Sequence, residues 1–241
     1  MRFVPVPITG GPSEGKTIRF SIWETRVKDY AAFVEDTKRE LKKAGFPQGD
    51  DHPAVRVTWD DAKTFCAWLT VAEQKRRKIG AKDVYRLPTD HEWSCAVGIG
   101  KDEDAAAPIR SLHMKVAGYP WGESFPPQKK EGNYYGEECK RNPMGDEPGI
   151  SGYDDGFDRT SPVGKFTANG FGLFDLGGNT WEWCADWWDS AQTFRVLRGA
   201  CWSSRESMLM SSYRGFRPPS TGDFGQGFRV VLEVGTPAPQ P

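Results

Sequence analysis

Asp175-Leu176-Gly177-Gly178-Asn179-Thr180-Trp181-Glu182-Trp183-Cys184 is the stretch on which the fold turns. It is answered downstream by Leu197-Arg198-Gly199-Ala200-Cys201-Trp202-Ser203-Ser204 and by Gly227-Phe228-Arg229. Glycines and an asparagine set between carboxylates and indoles describe a tight turn feeding a strand of large rings. A Gly-rich turn also lets backbone carbonyls converge with carboxylates, as a hard cation requires, with oxygens at about 2.3–2.6 Å. Asp175 and Glu182, bracketing Gly178 and Thr180, form one such set. Asn133-Tyr134, followed by Gly152-Tyr153-Asp154-Asp155-Gly156-Phe157, forms another. Asp and Asn beside Gly are more often plain turn formers, so the residues alone leave both meanings open.

Outward from this stretch the two halves of the chain differ. From about Gly118 onward Gly, Pro, Asn, Asp and aromatic residues dominate, and the only strand candidates are 181–188, 194–201 and 227–233. A structureless region of that length is compatible with a compact domain when its loops are functional or held by metal ions. The first hundred residues are more regular. Residues 17–24 alternate apolar and polar side chains as a strand does. Tyr30, Phe33, Val34 and Leu41 fall at helical spacing over 27–43, with Gly45 and Pro47 as the stop. Thr58 with Asp61, and Thr89 with Glu92, have the spacing of capping boxes. The first opens a helix with Ala62, Phe65, Cys66, Leu69 and Ala72 on its apolar face and Gly80 at its end; the second opens a shorter helix through Trp93 and Ala96. Ten tryptophans and 27 glycines point to a core of rings and irregular backbone. The expectation is one domain over 1–234 and a disordered Pro-rich tail over 235–241.

A net charge of −1 across 241 residues gives no electrostatic reason to expect nucleic acid. No stretch approaches the roughly 18 apolar residues that cross a bilayer, so membrane insertion is not expected and a cytoplasmic location is the default. Lys75-Arg76-Arg77-Lys78 is expected to be a solvated helix end. Five cysteines without C-x-x-C spacing signal neither a disulfide framework nor zinc, and Cys66 and Cys184, set among aromatics, are expected in the core. His52, His91 and His113 form no i, i+4 pair, His91 is expected to be structural or exposed, and nothing places a histidine beside Cys201. No phosphate loop or G-x-S-x-G elbow is present. Arg205, Met208, Met210, Tyr213, Arg214, Phe216, Arg217 and Phe224 mix the side chains common at binding hot spots, though Met208, Met210 and Tyr213 are as well suited to closing the core.

Several ordered motifs then carry a resemblance. They are 53–62 (PAVRVTWDDA), 85–93 (YRLPTDHEW), 119–122 (YPWG), 172–175 with 178–183, and Gly227-Phe228-Arg229. Across roughly 18–234 the chain resembles the formylglycine-generating enzyme (sulfatase-modifying factor) family. The resemblance implies an α+β, C-type lectin-like fold with little regular structure, often stabilised by calcium. It places one ion on Asn133, the Tyr134 carbonyl, Asp155 and the Phe157 carbonyl, and another on Asp175, the carbonyls of Gly178 and Thr180, and Glu182.

Active members of that family oxidise a sulfatase cysteine using copper held by two cysteines in the segment after a Gly-Gly-Ser-Trp/Tyr motif. Here that motif is Gly199-Ala200-Cys201-Trp202, and the paired positions are Ser204 and Leu209. Neither supplies a thiolate, so copper is not expected and no catalytic residue is assigned. The layout between Leu197-Arg198-Gly199 and Gly227-Phe228-Arg229 also resembles the target proteins of diversity-generating retroelements, whose final segment varies for ligand binding. The expectation is therefore a noncatalytic recognition protein for a protein or peptide ligand. Its binding residues would be Cys201, Trp202, Ser203, Ser204, Arg205, Glu206, Met208, Tyr213, Phe216, Arg217, Phe224 and Gln226. The rival is a formylglycine-generating oxidase. Iron-dependent sulfur transfer, as in ergothioneine synthases with a similar domain, is not expected, because those depend on an accompanying histidine-rich domain and three scattered histidines offer no obvious equivalent.

Overall fold

Two four-stranded sheets carry the fold, and the first of them brings the two ends of the described chain together. The computed structural model describes residues 1–138 and 148–235, so Cys139 and most of the expected tail lie outside the described residues. In the first sheet β1 (Phe3–Pro7) pairs with β2 (Thr17–Ser21), β2 with β8 (Val231–Glu233), and β8 with β3 (Val84–Arg86), all antiparallel. The sequence pattern passes over β1 because Pro5 and Pro7 interrupt it. Both prolines are tolerated because β1 lies at the sheet edge, where a missing N–H breaks no ladder.

The second sheet has the order β6-β5-β4-β7, from β4 (Trp181–Trp187), β5 (Arg195–Arg198), β6 (Gly215–Arg217) and β7 (Gln226–Gly227). The strands expected over 181–188 and 194–201 are present in shortened form. The one expected over 227–233 is divided: β7 pairs in parallel with β4, whereas β8 belongs to the first sheet. Phe228, Arg229 and Val230 carry the chain between the sheets and are completely buried.

Among the described residues three helices of eight residues or more pack against these sheets: α1 (Val27–Thr37), α2 (Trp59–Lys75) and α3 (Asp90–Val97). The short α4 (Ile109–Leu112) follows. Thr58 and Thr89 both make the expected capping boxes, accepting the N–H of Asp61 and of Glu92 at 3.1 Å. The helix ends differ from expectation. α1 stops at Thr37, six residues early, because the positions after Phe33 and Val34 that should continue its apolar face are Thr37 and Lys38. The Thr37 hydroxyl turns back onto the Phe33 carbonyl, Lys38 takes a left-handed φ of 56°, and Leu41 is left exposed. α2 ends at Lys75, five residues before Gly80; Gln74 folds the following chain back by donating to the carbonyls of Ala81 and Asp83.

The core is built from rings. Tyr30, Phe33 and Phe65 from the first two helices meet Phe228, with Phe65 and Phe228 edge to face at 5.3 Å. Trp93 and Trp183 are wholly buried, and each indole N–H has an acceptor, Glu182 and the Val57 carbonyl respectively. Cys66 and Cys184 lie in this interior as expected. Among the described residues no helix is long and apolar enough to cross a membrane.

Candidate functional site

The two loops that could hold a cation are physically joined. Asn133 bridges Gly178 in parallel, and its carbonyl accepts the Asn179 N–H at 2.9 Å. A Cβ on Gly178 would lie 2.2 Å from the Asn133 carbonyl, and its φ is 80°, so this contact demands glycine. Asn179 links the loops further: its Oδ1 accepts from the Ser161 N–H and from Asn133 Nδ2, while its own Nδ2 donates to Glu24 at 2.7 Å. Glu24 also accepts from the Thr180 N–H and hydroxyl. Burial, with Asp175 and Glu182 nearby, holds the Glu24 carboxyl well above its usual range.

Two buried oxygens in these loops have no hydrogen-bond partner, Asn133 Oδ1 and Asp175 Oδ1. Burial pushes the Asp175 carboxyl up to about 6 against the opposing N–H of Gly164. The Asp155 carboxylate accepts the N–H groups of Tyr134 and Phe157, both at 2.8 Å, yet burial raises it to about 7. Glu182 is differently placed. Its oxygens accept from Arg229 Nη2 at 2.7 Å, from Arg229 Nε, and from Trp93 Nε1 at 3.0 Å. It could reach a cation only by giving up part of that pairing. Among the described residues no three His, Cys, Asp or Glu side chains converge as a metal cluster, so a cation here would rest mainly on amide and carbonyl oxygens.

Beyond β5 the chain lines a cleft of about 700 Å³, bordered by Phe125, Tyr135, Ile150, Ser204, Arg205 and Glu206. Ser204 is buried at its base, where Oγ accepts the Cys201 N–H at 2.9 Å and donates to the Cys201 sulfur at 3.4 Å. Leu209 is packed with Tyr134, Ile150, Tyr153 and Ala200. Cys201 is itself interior, burial pushes its thiol up, and its side-chain partners are Ser203 and Ser204.

The profile of the sulfatase-modifying factor enzyme 1-like domain matches residues 14–234. The chain belongs to this family. It is 33% identical over 205 residues to the inactive C-alpha-formylglycine-generating enzyme 2 of Bos taurus, a match covering 80% of this chain and 54% of that protein. It is also 33% identical over 140 residues to the formylglycine-generating enzyme of Thermomonospora curvata, covering 58% of this chain and 35% of the relative. The chain thus spans about half of the first relative's length and about a third of the second's. Among solved structures, Treponema denticola variable protein 1 superposes with a TM-score of 0.64 at 16% identity, over 95% of this chain and 90% of that one. The architecture is the α+β, formylglycine-generating-type lectin fold.

Within this sulfatase-modifying factor domain the twelve residues expected to bind a ligand do not form one face. Trp202 is 2% exposed and packs between Phe46, Phe224 and the Arg159 guanidinium, with ring centroids near 5.9 Å and the cation at 4.8 Å. Gln226 is buried in β7 and accepts the Asp223 N–H. Phe216 stacks flat on Trp188 at 4.8 Å and touches Phe194. Since β6 and β7 are the outer strands of one sheet, three strand spacings, about 14 Å, separate Phe216 from Gln226. Arg205 and Glu206 are exposed at the cleft, Ser203 and Met208 are half-buried, and Arg217 is exposed beside Phe216. Tyr213 packs on His113 and Trp181. His91 is half-buried, with Nε2 2.6 Å from the Thr9 carbonyl.

The residues missed from sequence are Glu24, Phe46, Phe125, Tyr135 and Arg159. Glu24 had a signal: it continues the even-numbered face of Ile18, Phe20 and Ile22, all buried, so the period-two pattern puts a carboxylate on the apolar side. The others come from distant loops and leave no local pattern.

Proposed function

We propose that this domain is a noncatalytic recognition module that takes a peptide or protein segment in the cleft bordered by Tyr135, Ile150 and residues 204–206. The observation that carries this is the pair Ser204 and Leu209, which stand where the resemblance puts copper-binding thiolates; one is a hydrogen-bonded hydroxyl and the other a packed hydrocarbon. Cys201 does not compensate, because its thiol is buried and pushed away from ionisation. The relative named as inactive and the fold shared with a variable protein support the same reading.

In this proposal calcium is a structural component. Asn133, the Tyr134 carbonyl, Asp155 and the Phe157 carbonyl would hold one ion, and the unpaired Asn133 oxygen and raised Asp155 carboxyl fit that role. Asp175 with the carbonyls of Gly178 and Thr180 fits a second ion only if Glu182 loosens its grip on Arg229.

Two assays test the reading. Incubation with copper, oxygen and a cysteine-containing sulfatase-type peptide should give no aldehyde by mass spectrometry; turnover lost on Cys201→Ala would overturn the noncatalytic assignment. Clones selected from a displayed random-peptide library on the wild-type protein should lose binding to Arg205→Ala/Glu206→Ala. Equal binding to both proteins would remove the cleft as the site.

A further inference from the structure

The exposed face of α2 carries a feature that the fold does not need and that shares no lining residue with the cleft above. Lys63, Ala67, Val71 and Lys75 follow one another at i, i+4 spacing, and all four are exposed. The stripe borders a groove of about 500 Å³ between α2 and β3, whose floor is Trp59 and Cys66 and whose far wall is Val84. Val71 is 50% exposed and Val84 39%, two of the few large apolar side chains the described chain leaves in solvent. The groove's apolar centre therefore remains uncovered among the described residues.

Its charge leans cationic. The lining holds Lys63 and Arg86 and no carboxylate, and from Asp60 to Asp83 six cationic side chains stand against Asp60, Asp61, Glu73 and Asp83, in a protein whose net charge is −1. Glu73 is taken by Arg76. Lys63 and Lys75 have no ion-pair partner among the described residues, and the Lys63 ammonium sits 5.4 Å from the Trp59 ring. These lysines lie twelve residues apart on one helix, about 18 Å at 1.5 Å per residue.

The chemistry of an occupant follows from three facts. An apolar floor offers no partner to a phosphate backbone or a sugar, which disfavours nucleic acid. A concave groove cannot project its valines into a bilayer, which disfavours a lipid surface. The open edge of β3 is closed at Tyr85, whose N–H donates to the Thr70 hydroxyl at 2.9 Å, so a partner cannot extend the sheet there. We propose that this groove is a docking surface for an acidic amphipathic helix of a partner protein. Its apolar side chains sit against Val71 and Val84, and a carboxylate near each end, about 18 Å apart, reaches Lys63 and Lys75.

The probe is a synthetic sixteen-residue helical peptide with a Leu/Ala stripe and glutamates at both ends, compared with a scrambled peptide of equal composition. Fluorescence anisotropy on the whole chain should show binding by the patterned peptide alone, weakening as salt is raised. Val71→Asp and, separately, Lys63→Glu/Lys75→Glu alter exposed positions; each should weaken binding about tenfold or more, a loss of about 1.4 kcal/mol. Equal affinity for both peptides, or indifference to both variants, would overturn the proposal. So would Val71-dependent self-association in sedimentation, which would assign the groove to a second copy. Stronger peptide binding after truncation at Gly235 would assign it instead to the chain's own tail, and Val71-dependent binding to phosphatidylserine vesicles to a membrane.

Discussion

The helix starts before residue 113 and the loop-rich region after it are fixed by polar contacts of different range. In the first, the decisive polar contacts at helix starts close within three residues, Thr58 with Asp61 and Thr89 with Glu92. In the second, order comes from buried arginines that reach far along the chain. Arg214 spans 124 residues to Asp90 and 111 to Glu103; Arg198 meets the same Asp90 at 2.6 Å; Arg229 binds Glu182 and the carbonyls of Ser21 and Phe174. The contrast shows how a loop-rich region stays fixed without long strands: each cation satisfies several carbonyls and carboxylates from separate segments and so defines their relative positions. Buried ion pairs give little net stability over an apolar substitute, but breaking one strands its partner.

The largest effect should therefore come from Arg214→Met. It would leave Asp90 short of one partner, free Glu103, and take one of two donors from each of the Leu112 and Ser212 carbonyls, which keep the N–H groups of Lys115 and Met114. The expected loss is about 3–5 kcal/mol in urea unfolding. A loss near that of a single helix cap would show that the arginine network is incidental to the second half.

The calcium proposal probes the same contrast, since an ion at the joined loops would be another long-range tie. Calcium at a hundred times its dissociation constant should add about 2.7 kcal/mol, so chelation should lower the melting temperature and Asp155→Ala should abolish that response. An unchanged melting temperature on chelation, with no calcium in the purified protein, would leave the loops held by Asn133, Asn179 and Glu24 alone.

Acid should produce a smaller effect, because it discharges one member of the network at a time. Burial would raise the Asp90 carboxyl, but Arg198 and Arg214 outweigh it and hold it below the ordinary range. Its contribution is then complete above the unfolded value of about 3.9 and is lost as pH falls through the lower folded value. The melting temperature should fall between pH 5 and pH 3 at fixed ionic strength, and fall less in Asp90→Asn, which starts lower. An equal slope in both proteins would place the acid sensitivity elsewhere, for instance at Glu92, which Arg86 also holds down.

This difference in range also decides what was legible in the sequence. The starts of α2 and α3 could be read because a cap is a local pattern, and β4 because its indoles alternate beside the 178–180 turn. The end of α1 could not, since Leu41 looks like one more turn of an apolar face until no partner meets it. Nor could the placement of the segment expected to bind: residues 201–226 are contiguous in sequence, but β6 and β7 carry them to opposite edges of a sheet. Cys201, Trp202 and Gln226 are turned inward, so composition typical of hot spots was there serving as core. The Asn133–Gly178 contact was half legible, as a glycine and an asparagine in separate turns, without any sign that the turns touch.

The smallest effect is the sharpest test of locality. Thr58→Ala removes the acceptor for the Asp61 N–H and should cost about 1 kcal/mol; Thr58→Ser keeps the oxygen and should cost much less. Thr89→Ala should cost a similar amount, because Glu92 remains fixed by Arg86 at 2.7 Å and still accepts the residue 89 N–H. The two caps share no hydrogen-bond partner, so their losses should add to within about 0.5 kcal/mol in the double variant. A larger departure would mean that the helices feel each other through β4, whose Trp183 belongs to the ring cluster of Phe65 and Phe228 and whose Cys184 belongs to the cluster of Trp93. The first half would then be held by long-range coupling much as the second is, with packed rings in place of buried arginines.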